Sequence, residues 1–369
     1  MKRTASDVGD RAAKVARIDG HALVFPVPSV RDFLASTTSR KRFTKPVQVG
    51  GFSKYPDGRV KFDQSLLKSL RNAAPLHSDL LAGMDTYTEP HNTAPLEHVI
   101  AAALPEHRRL HDHATCSPPP LSKHHVVTYR NNLNKIMGTP YNTNSPYSMQ
   151  VQRTQGCIYL NVVLSDLAPS RLPASFTQLQ AAYAGRRYEE LTSKTASPRG
   201  GEYCGVFSVS LGQTKLLIGA ELDGIDDSGD ISNLYIELKT FRALATSKDR
   251  FTFERYKLLA FWIQSYVVGV PLIRVGFRDD SFRLVKEQTF QTTGLPRYGE
   301  KYWNPTVCIN FANSFLTWLA EQALDDQVVY LIEYDPRNKC IQLTPSTAPL
   351  FVSTPLVVES HDDGAPGQH

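Results

Sequence analysis

The stretch KLLIGAELDGIDDSGDISNLYIELKTF, residues 215–241, decides how the rest of the chain is read. Two apolar runs, KLLIGAELD and NLYIELKTF, have the composition of buried strands, and the Gly, Asp and Ser residues between them that of a turn. Yet each run carries charge where valines would be expected: Glu221-Leu222-Asp223 in the first, Glu237-Leu238-Lys239 in the second. Strand side chains alternate between faces. Glu221 and Asp223 therefore share a face with Leu222 opposite, and Glu237 and Lys239 share a face with Leu238 opposite. If the two strands are neighbours, Glu221, Asp223 and Glu237 converge on one spot.

Carboxylates that close, away from water, repel one another, and one or more would take up a proton. A divalent cation removes the conflict, and an all-oxygen ligand set favours Mg²⁺ or Mn²⁺. The lysine beside them is no ligand; it can contact a phosphate or orient an attacking water. This is the layout of metal-dependent phosphodiester hydrolysis, where the metal activates water and offsets the charge of the transition state. An acid on one strand followed by Glu-x-Lys on the next is also the active-site order of the PD-(D/E)xK nuclease fold. Taken alone, the two triplets favour a plainer reading, an exposed hairpin with a surface salt bridge. Two stretches outside them shift the balance. AGRRYEEL (184–191) places Glu189 near the C-terminal end of a helix just before the hairpin, where it can add a carboxylate from a third element. Gln264, in YKLLAFWIQSYVVGVP, lies within an apolar helix, where it satisfies a core polar group or contacts a scissile phosphate.

Outward from this centre the pattern is mixed. SLLKSLRN (65–72) and PLEHVIAAAL (95–104) read as short helices. HHVVTYR (124–130) and CIYLNVVLSD (157–166) read as strands. Residues 174–193 read as a helix whose apolar face is Phe176, Leu179, Ala182 and Tyr183. Residues 202–223 read as a hairpin turning near Leu211-Gly212-Gln213. A long helix is expected over 253–270, ended by Pro271, then a strand over 272–279. Asn304 as a cap with Pro305 in the first turn starts a helix over 304–324, and a late strand follows at 327–335. The expected fold class is mixed α/β (α+β), with largely antiparallel or mixed sheets flanked by helices around a PD-(D/E)xK nuclease-like core. Residues 1–20 read as a disordered tail, 21–357 as a single domain and 358–369 as a flexible tail.

Composition sets the outer limits. The chain has 369 residues, 41% of them hydrophobic, enough for a sizeable core. Its formal net charge of +5 is compatible with an anionic partner. The five cysteines are scattered without a CxxC pair, which indicates neither a zinc ribbon nor a disulfide framework. No run is long and apolar enough to span a bilayer, and the N-terminus lacks the apolar core of a signal peptide. Lys2-Arg3 and Lys14-x-x-Arg17 form at most a sparse nuclear signal; a solvated tail is the simpler reading.

Six short motifs, in order, resemble the DXO family of RNA 5′-end decapping nucleases, which includes the fungal nuclear partner of the Rat-type 5′→3′ exonuclease. They are VVTYRNNLNKIMGTPY with Arg130, YAGRRYE with Gly185 and Glu189, GAELD, YIELK, FWIQSYVVGVP with Gln264, and YWNPTVCINF (302–311). VGGFSKYPDGR (49–59) is similar to a further segment, and the likeness spans roughly 45–335. The resemblance implies that Glu189, Asp223 and Glu237, with Glu221 and the Leu238 carbonyl, ligate one or two divalent ions. It implies that Lys239 and Gln264 hold the reacting phosphate and the water, and that Arg130, with Tyr129 and Asn131 beside it, grips the RNA backbone or 5′ phosphates. Arg59 and Cys204 match substrate-contacting positions more loosely. The chain departs from the family near PLEHVI, where an acidic substrate contact has no clear match, and at Arg186-Arg187-Tyr188, where an aromatic residue and a lysine are commoner.

The activity so implied is removal of 5′-triphosphate, incomplete GpppN and NAD caps, leaving 5′-monophosphate RNA for 5′→3′ decay. The implied setting is the nucleus, with the cytoplasm as alternative, and the implied partner a Rat-type 5′→3′ exoribonuclease. A stabilising subunit of that exonuclease, with catalysis secondary, is the second hypothesis. Other conspicuous residues have plainer readings. His107, His111, His113 and Cys116 lack a second ligand pair and read as a polar loop, not a zinc site. Asp226, Asp227 and Asp230 read as a turn, not a calcium loop. Trp262, Trp303 and Trp318 read as core rather than base-stacking surfaces.

Overall fold

The computed structural model describes residues 17–18, 22–36, 39–87, 95–103, 125–163, 175–194, 200–226 and 234–352. In chain order the strands begin with Arg17–Ile18 (β1), Ala22–Pro26 (β2), Val47–Lys54 (β3), Val60–Lys61 (β4), Val126–Tyr129 (β5), Tyr147–Thr154 (β6) and Cys157–Val162 (β7). Then come Glu202–Leu211 (β8), Thr214–Leu222 (β9), Gly224–Asp226 (β10), Leu234–Arg242 (β11), Leu272–Arg278 (β12), Leu284–Gln291 (β13), Val329–Asp335 (β14) and Cys340–Ser346 (β15). The α-helices are Val30–Ser36 (α1), Leu96–Ala102 (α2), Arg130–Gly138 (α3), Phe176–Thr192 (α4), Ser247–Thr252 (α5), Leu258–Tyr266 (α6), Leu295–Gly299 (α7) and Pro305–Glu321 (α8).

The described strands build two mixed sheets. One has 11 strands in the order β1-β2-β15-β14-β6-β7-β5-β9-β8-β3-β4; the other has four, β10-β11-β12-β13. Most pairings are antiparallel, but β5 runs parallel to both β7 and β9, and β11 parallel to β12. The alternation of the sequence sorts side chains between layers. Along β9, Leu216 and Ile218 enter the main core, which packs under α3, α6 and α8, while Leu217 enters a second cluster under α2. In β11, Ile236 and Leu238 enter a third cluster with Ala184 and Tyr188 of α4. Glu237, Lys239 and Phe241 face the other way.

The two strands of the deciding stretch lie in different sheets. β9 belongs to the large sheet; the chain leaves it at Asp223 and continues as β10, which pairs antiparallel with β11, Gly224 opposite Ile236. Gly224 is required by close approach: a Cβ there would stand 2.6 Å from Leu70 and 2.7 Å from the Lys68 carbonyl.

Several sequence expectations need correction. SLLKSLRN is not a helix. Ser69 and Leu70 are extended, bridging to Ile225 and Ser193, because Leu70 packs on the small sheet while Leu67 turns to the main core, so the leucines share no helix face. The face expected on α4 holds at Tyr183, which is buried, but Phe176 is 69% exposed, and the buried face continues through Ala184, Tyr188 and Thr192. The helix expected over 253–270 begins earlier, at Ser247, capped by Thr246, which accepts from Asp249 N while the Asp249 side chain accepts from Thr246 N. It passes through a π-helical segment, Phe253–Lys257, and stops at Tyr266, short of Pro271. The hairpin, the α8 cap at Asn304 and the buried state of Trp262, Trp303 and Trp318 are as expected. Arg17–Ile18, inside the expected tail, pair with Ala22 and Leu23. The remaining residues of that tail, the C-terminal tail, the His107–Cys116 region, Asp227 and Asp230 lie outside the described residues. Cys157, Cys204, Cys308 and Cys340 are free thiols. No described helix is long and apolar enough to cross a membrane.

Candidate functional site

Glu237 is the centre. Its side chain is 1% exposed, and both carboxylate oxygens are engaged. Oε2 accepts from Arg130 Nη1 at 3.0 Å; Oε1 accepts from Lys239 Nζ and Gln264 Nε2, each at 2.5 Å. Three separate elements supply these donors. Arg130 opens α3 where β5 ends, Lys239 is the next residue on the same face of β11, and Gln264 is near the end of α6. Burial alone would raise the Glu237 pKa, but Arg130 and Lys239 hold it below the usual carboxylate range. Burial works against the Lys239 charge as well, yet Glu237 and Asp223 keep its pKa above the ordinary lysine value.

Two further carboxylates face this ion pair. Asp223, at the break between β9 and β10, accepts from Leu238 N at 2.6 Å. Burial, then the charges of Glu237 and Glu189, push its pKa up to about 7. Glu189, in the last turn of α4, stands 3.5 Å from Lys68 Nζ and is also shifted upward, by burial first, with Lys68 and Lys239 opposing. Solvent still reaches 28% of its side chain, so it lies on a recessed but open wall.

Glu221 points, as expected, to the opposite face of the large sheet from Leu222, and it is reached by solvent. Its pKa is pushed up to about 8, by burial and then by Glu202, with Arg130 and Lys54 opposing. The acids thus fall into a group of Glu189, Asp223 and Glu237, and a neighbouring pair of Glu221 and Glu202. Among the described residues no three acidic, histidine or cysteine side chains are already drawn together as a metal shell. The donor chemistry nevertheless fits a hard divalent cation. Three carboxyls sit at raised pKa through burial and mutual repulsion, all donors are oxygens, and lysines now neutralise Glu189 and Glu237.

The substrate-contacting expectations fare unevenly. Arg130 is 7% exposed and turned inward: besides Glu237 it donates to the Glu221 carbonyl at 2.8 Å and the Gln264 carbonyl at 3.4 Å. Its guanidinium ties β9, β11 and α6 together and orients Glu237. Tyr129 donates its hydroxyl to the Pro95 carbonyl at 3.0 Å, which joins α2 to this edge of the site. Asn131 is exposed on the first turn of α3. Cys204 is buried opposite Glu221 in the β8–β9 ladder, and burial pushes its thiol pKa up, which keeps it protonated. Arg59 is not gathered onto Glu237; it pairs with Asp57 at 2.6 Å in the exposed β3–β4 turn. Leu238 contributes its N–H to Asp223, as above, while its side chain enters the α4-facing core.

Two residues of the site escaped the sequence reading. Lys68 was hidden by the leucines around it, which imitate a helix. Glu202 had a readable signal: counting back from the Gly212-Gln213 turn puts Cys204 opposite Glu221, and Glu202, two residues earlier in the same strand, is diagonal to Glu221 on the same face.

Comparison with known proteins identifies the family and the fold. Residues 44–357 match a family model described as RAI1 like PD-(D/E)XK nuclease. The decapping nuclease RAI1 of Neurospora crassa is 29% identical over 351 residues, covering 86% of this chain and 82% of that one. The structure of Candida albicans Rai1 in complex with pU5-Mn²⁺ is similar at a TM-score of 0.71 and 20% identity, covering 88% of this chain and 93% of that one. Scheffersomyces stipitis Rai1 in complex with (3′-NADP)⁺ and calcium ion gives a TM-score of 0.68 at 22% identity, covering 84% and 91%.

Proposed function

This chain belongs to the RAI1-like PD-(D/E)XK nuclease family, and on that premise we propose that it is a metal-dependent RNA 5′-end hydrolase, a decapping nuclease. The observation that carries the proposal is the buried Glu237 carboxylate held by Arg130, Lys239 and Gln264 and faced by two more acids at raised pKa. A structural salt bridge needs neither of those acids. The Neurospora relative is named a decapping nuclease, and the Candida neighbour holds a phosphorylated oligonucleotide with Mn²⁺.

Glu189, Asp223 and Glu237, with Glu221 and the Leu238 carbonyl, would hold one or two Mg²⁺ or Mn²⁺ ions. When bound, such an ion supplies a Lewis acid for the phosphate and a water of lowered pKa. The chain's own residues do the rest. Arg130 fixes one Glu237 oxygen and leaves the other facing Lys239 and Gln264. Lys239 and Gln264, which both donate to Glu237 Oε1, are the groups that would turn a donor toward a phosphate oxygen or a water beside the acids. Lys239 stays charged to do so because Glu237 and Asp223 support its charge. Asp223 cannot swing away while its carboxylate accepts from Leu238 N. Positioning of this kind is what an in-line displacement requires.

The substrates proposed are 5′-triphosphate, GpppN-capped and NAD-capped RNA, with a 5′-monophosphate RNA as product; Tyr129, Asn131, Cys204 and Arg59 remain candidate contacts at the edge of the site. Nuclear residence and docking on a Rat-type 5′→3′ exoribonuclease belong to the same proposal and rest on the family alone. The test is incubation of purified protein with each of these RNAs and with 5′-monophosphate RNA, in Mn²⁺ or EDTA, with products identified. Mn²⁺-dependent release of 5′ ends that vanishes in Glu237→Ala is the expected result. Unchanged turnover in Glu237→Ala would sink the assignment.

A further inference from the structure

A cavity opens beside Gln264. It holds about 250 Å³ and is walled by Tyr141, Tyr256, Tyr302, Arg255 and Asn134. Two helices connect it to the acidic site. Arg130, Asn134 and Gly138 follow at four-residue spacing along α3, so they lie on one face. Gln264 and Ala260 of α6, and Tyr256 in the π-helical turn before it, do the same in the opposite direction. Arg130 and Gln264 meet at Glu237; Asn134, Gly138, Ala260 and Tyr256 line the cavity. The α3–α6 seam is therefore a continuous track from the reacting centre, about 12 Å long for eight helical residues.

The lining is built for a flat, electron-rich or electron-poor ring. The Arg255 guanidinium lies 5.3 Å from the Tyr256 ring centroid, and Tyr256 is 49% exposed. Tyr302 is held edge-on by Phe251 at 5.3 Å, and the Tyr141 hydroxyl is fixed by accepting from Asn304 N at 2.7 Å. Rings held in place lose little freedom on binding a ligand. The Asn134 side-chain oxygen is buried and accepts no hydrogen bond. Such an orphan acceptor carries a cost that a donor from a bound ligand would relieve. Arg255 and Tyr256 are presented by the π-helical segment, a helix defect that recurs at functional positions. The cavity is smaller than the roughly 300–1,000 Å³ of pockets for drug-sized ligands, which suits a single ring system.

From these observations we propose that the cavity is a nucleobase-stacking subsite, taking one base of the 5′-end substrate whose phosphate is at Glu237. The proposal rests on the hydrolase reading for the identity of that substrate. Aromatic and guanidinium faces accept any base by stacking, which gives grip without sequence preference. The base belongs either to the first nucleotides of the RNA or to the departing cap, and the two sources are separable.

The test measures binding with Ca²⁺ in place of Mn²⁺, using the full chain. One probe is a 5′-monophosphate RNA pentamer with 2-aminopurine at its first position; the other is a cap dinucleotide carrying the same fluorescent base. Tyr256→Ala and Tyr302→Ala are expected to weaken binding about tenfold and to relieve quenching of the fluorophore, while Tyr256→Phe retains both. Loss with the pentamer alone places the RNA chain in the cavity, and loss with the dinucleotide alone places the cap there. If both alanine variants, shown to be folded by circular dichroism, bind and quench both probes as wild type does, the subsite is overturned. Wild-type cleavage of capped RNA in Mn²⁺ would then leave the hydrolase reading standing. If wild type cleaves no 5′ end yet quenching depends on Tyr256, the hydrolase reading fails and the subsite survives.

Discussion

Replacing Arg130 by alanine distinguishes a positioning arginine from one that grips RNA. In the folded protein Arg130 makes a 3.0 Å ion pair with a carboxylate that is 1% exposed, and it satisfies the Glu221 and Gln264 carbonyls as well. Its loss strips Glu237 Oε2 of its cation and leaves two carbonyls without that donor, while Oε1 keeps Lys239 and Gln264. Breaking a buried pair from one side costs about 3–5 kcal/mol, a large share of the roughly 5–15 kcal/mol that holds a typical protein folded. With a urea dependence of roughly 3 kcal/mol per molar, the midpoint should fall by about 1 M or more. The sign of the pH dependence follows from Glu237. Its folded pKa lies below the unfolded one, so its pairing stabilises above the unfolded value and is lost as pH falls through the folded value. Without Arg130 the burial penalty on the charged form is opposed by Lys239 alone among the cations, so the cost should be largest while Glu237 is ionised and shrink as falling pH protonates it. Saturating Mn²⁺ should recover part of the loss by replacing the missing positive charge. In Arg130→Ala/Glu237→Ala the destabilisation should fall well short of the sum of the single changes. A urea midpoint within about 0.3 M of wild type, together with weakened RNA binding, would refute the positioning role and restore the sequence-based expectation for Arg130.

Asp223→Asn keeps an acceptor for Leu238 N and removes a charge from a crowded group, so hydrolysis should be abolished while the metal-free melting temperature holds or rises, read by RNA cleavage and thermal melting. Because Asp223 and Glu221 have folded pKa values raised to about 7 and about 8, the folded state binds more protons than the unfolded one across that range. Metal-free protein should therefore lose stability as pH rises from about 4 to 8, and saturating Mg²⁺ or Mn²⁺ should flatten the curve; a melting temperature independent of pH in EDTA would contradict these shifts. Metal binding near pH 7 should release about one proton, measurable by calorimetry in buffers of different ionisation enthalpy. With GpppN-capped RNA labelled in the cap, the early product should be intact GpppN, since a single acidic centre cuts the phosphate held against it; labelled GDP as main early product, separated by thin-layer chromatography, would move the cut into the triphosphate bridge.

The parts of the site that were legible in the sequence are those set by periods of two and by turns. Glu237 and Lys239 share a face because strand side chains alternate, and that needs no tertiary information. The hairpin turn at Gly212-Gln213 likewise fixed Cys204 opposite Glu221. What the sequence hid was partner choice. Nothing in VVTYRNN says that its arginine turns inward to a carboxylate more than a hundred residues away rather than outward to a phosphate. The leucines of SLLKSLRN have helical spacing, yet Leu70 finds a buried surface on the small sheet and Leu67 one on the main core, and that packing in an extended form outweighs a weak propensity.

The expected convergence of Glu221, Asp223 and Glu237 was half right for a topological reason. It assumed that the two charged strands are neighbours in one sheet. They lie in different sheets, and the chain crosses between them at Asp223. A residue at such a crossing keeps the strand alternation of neither sheet, which frees Asp223 to lean onto Leu238 N and face Glu237. Glu221, still inside the large sheet, keeps its alternation and answers to Glu202 instead. Gly224 makes the crossing possible by letting the Lys68 segment approach, and that approach is what brings Lys68 to Glu189. Gly224→Ala should therefore disturb the site without touching any charged group: its new Cβ would push Leu70 and the Lys68 carbonyl outward. The Lys68–Glu189 pair would open, and metal affinity would change more than the affinity for RNA already held by its bases. Equal losses in both would mean that the crossing holds up the whole fold and not the carboxylate group in particular.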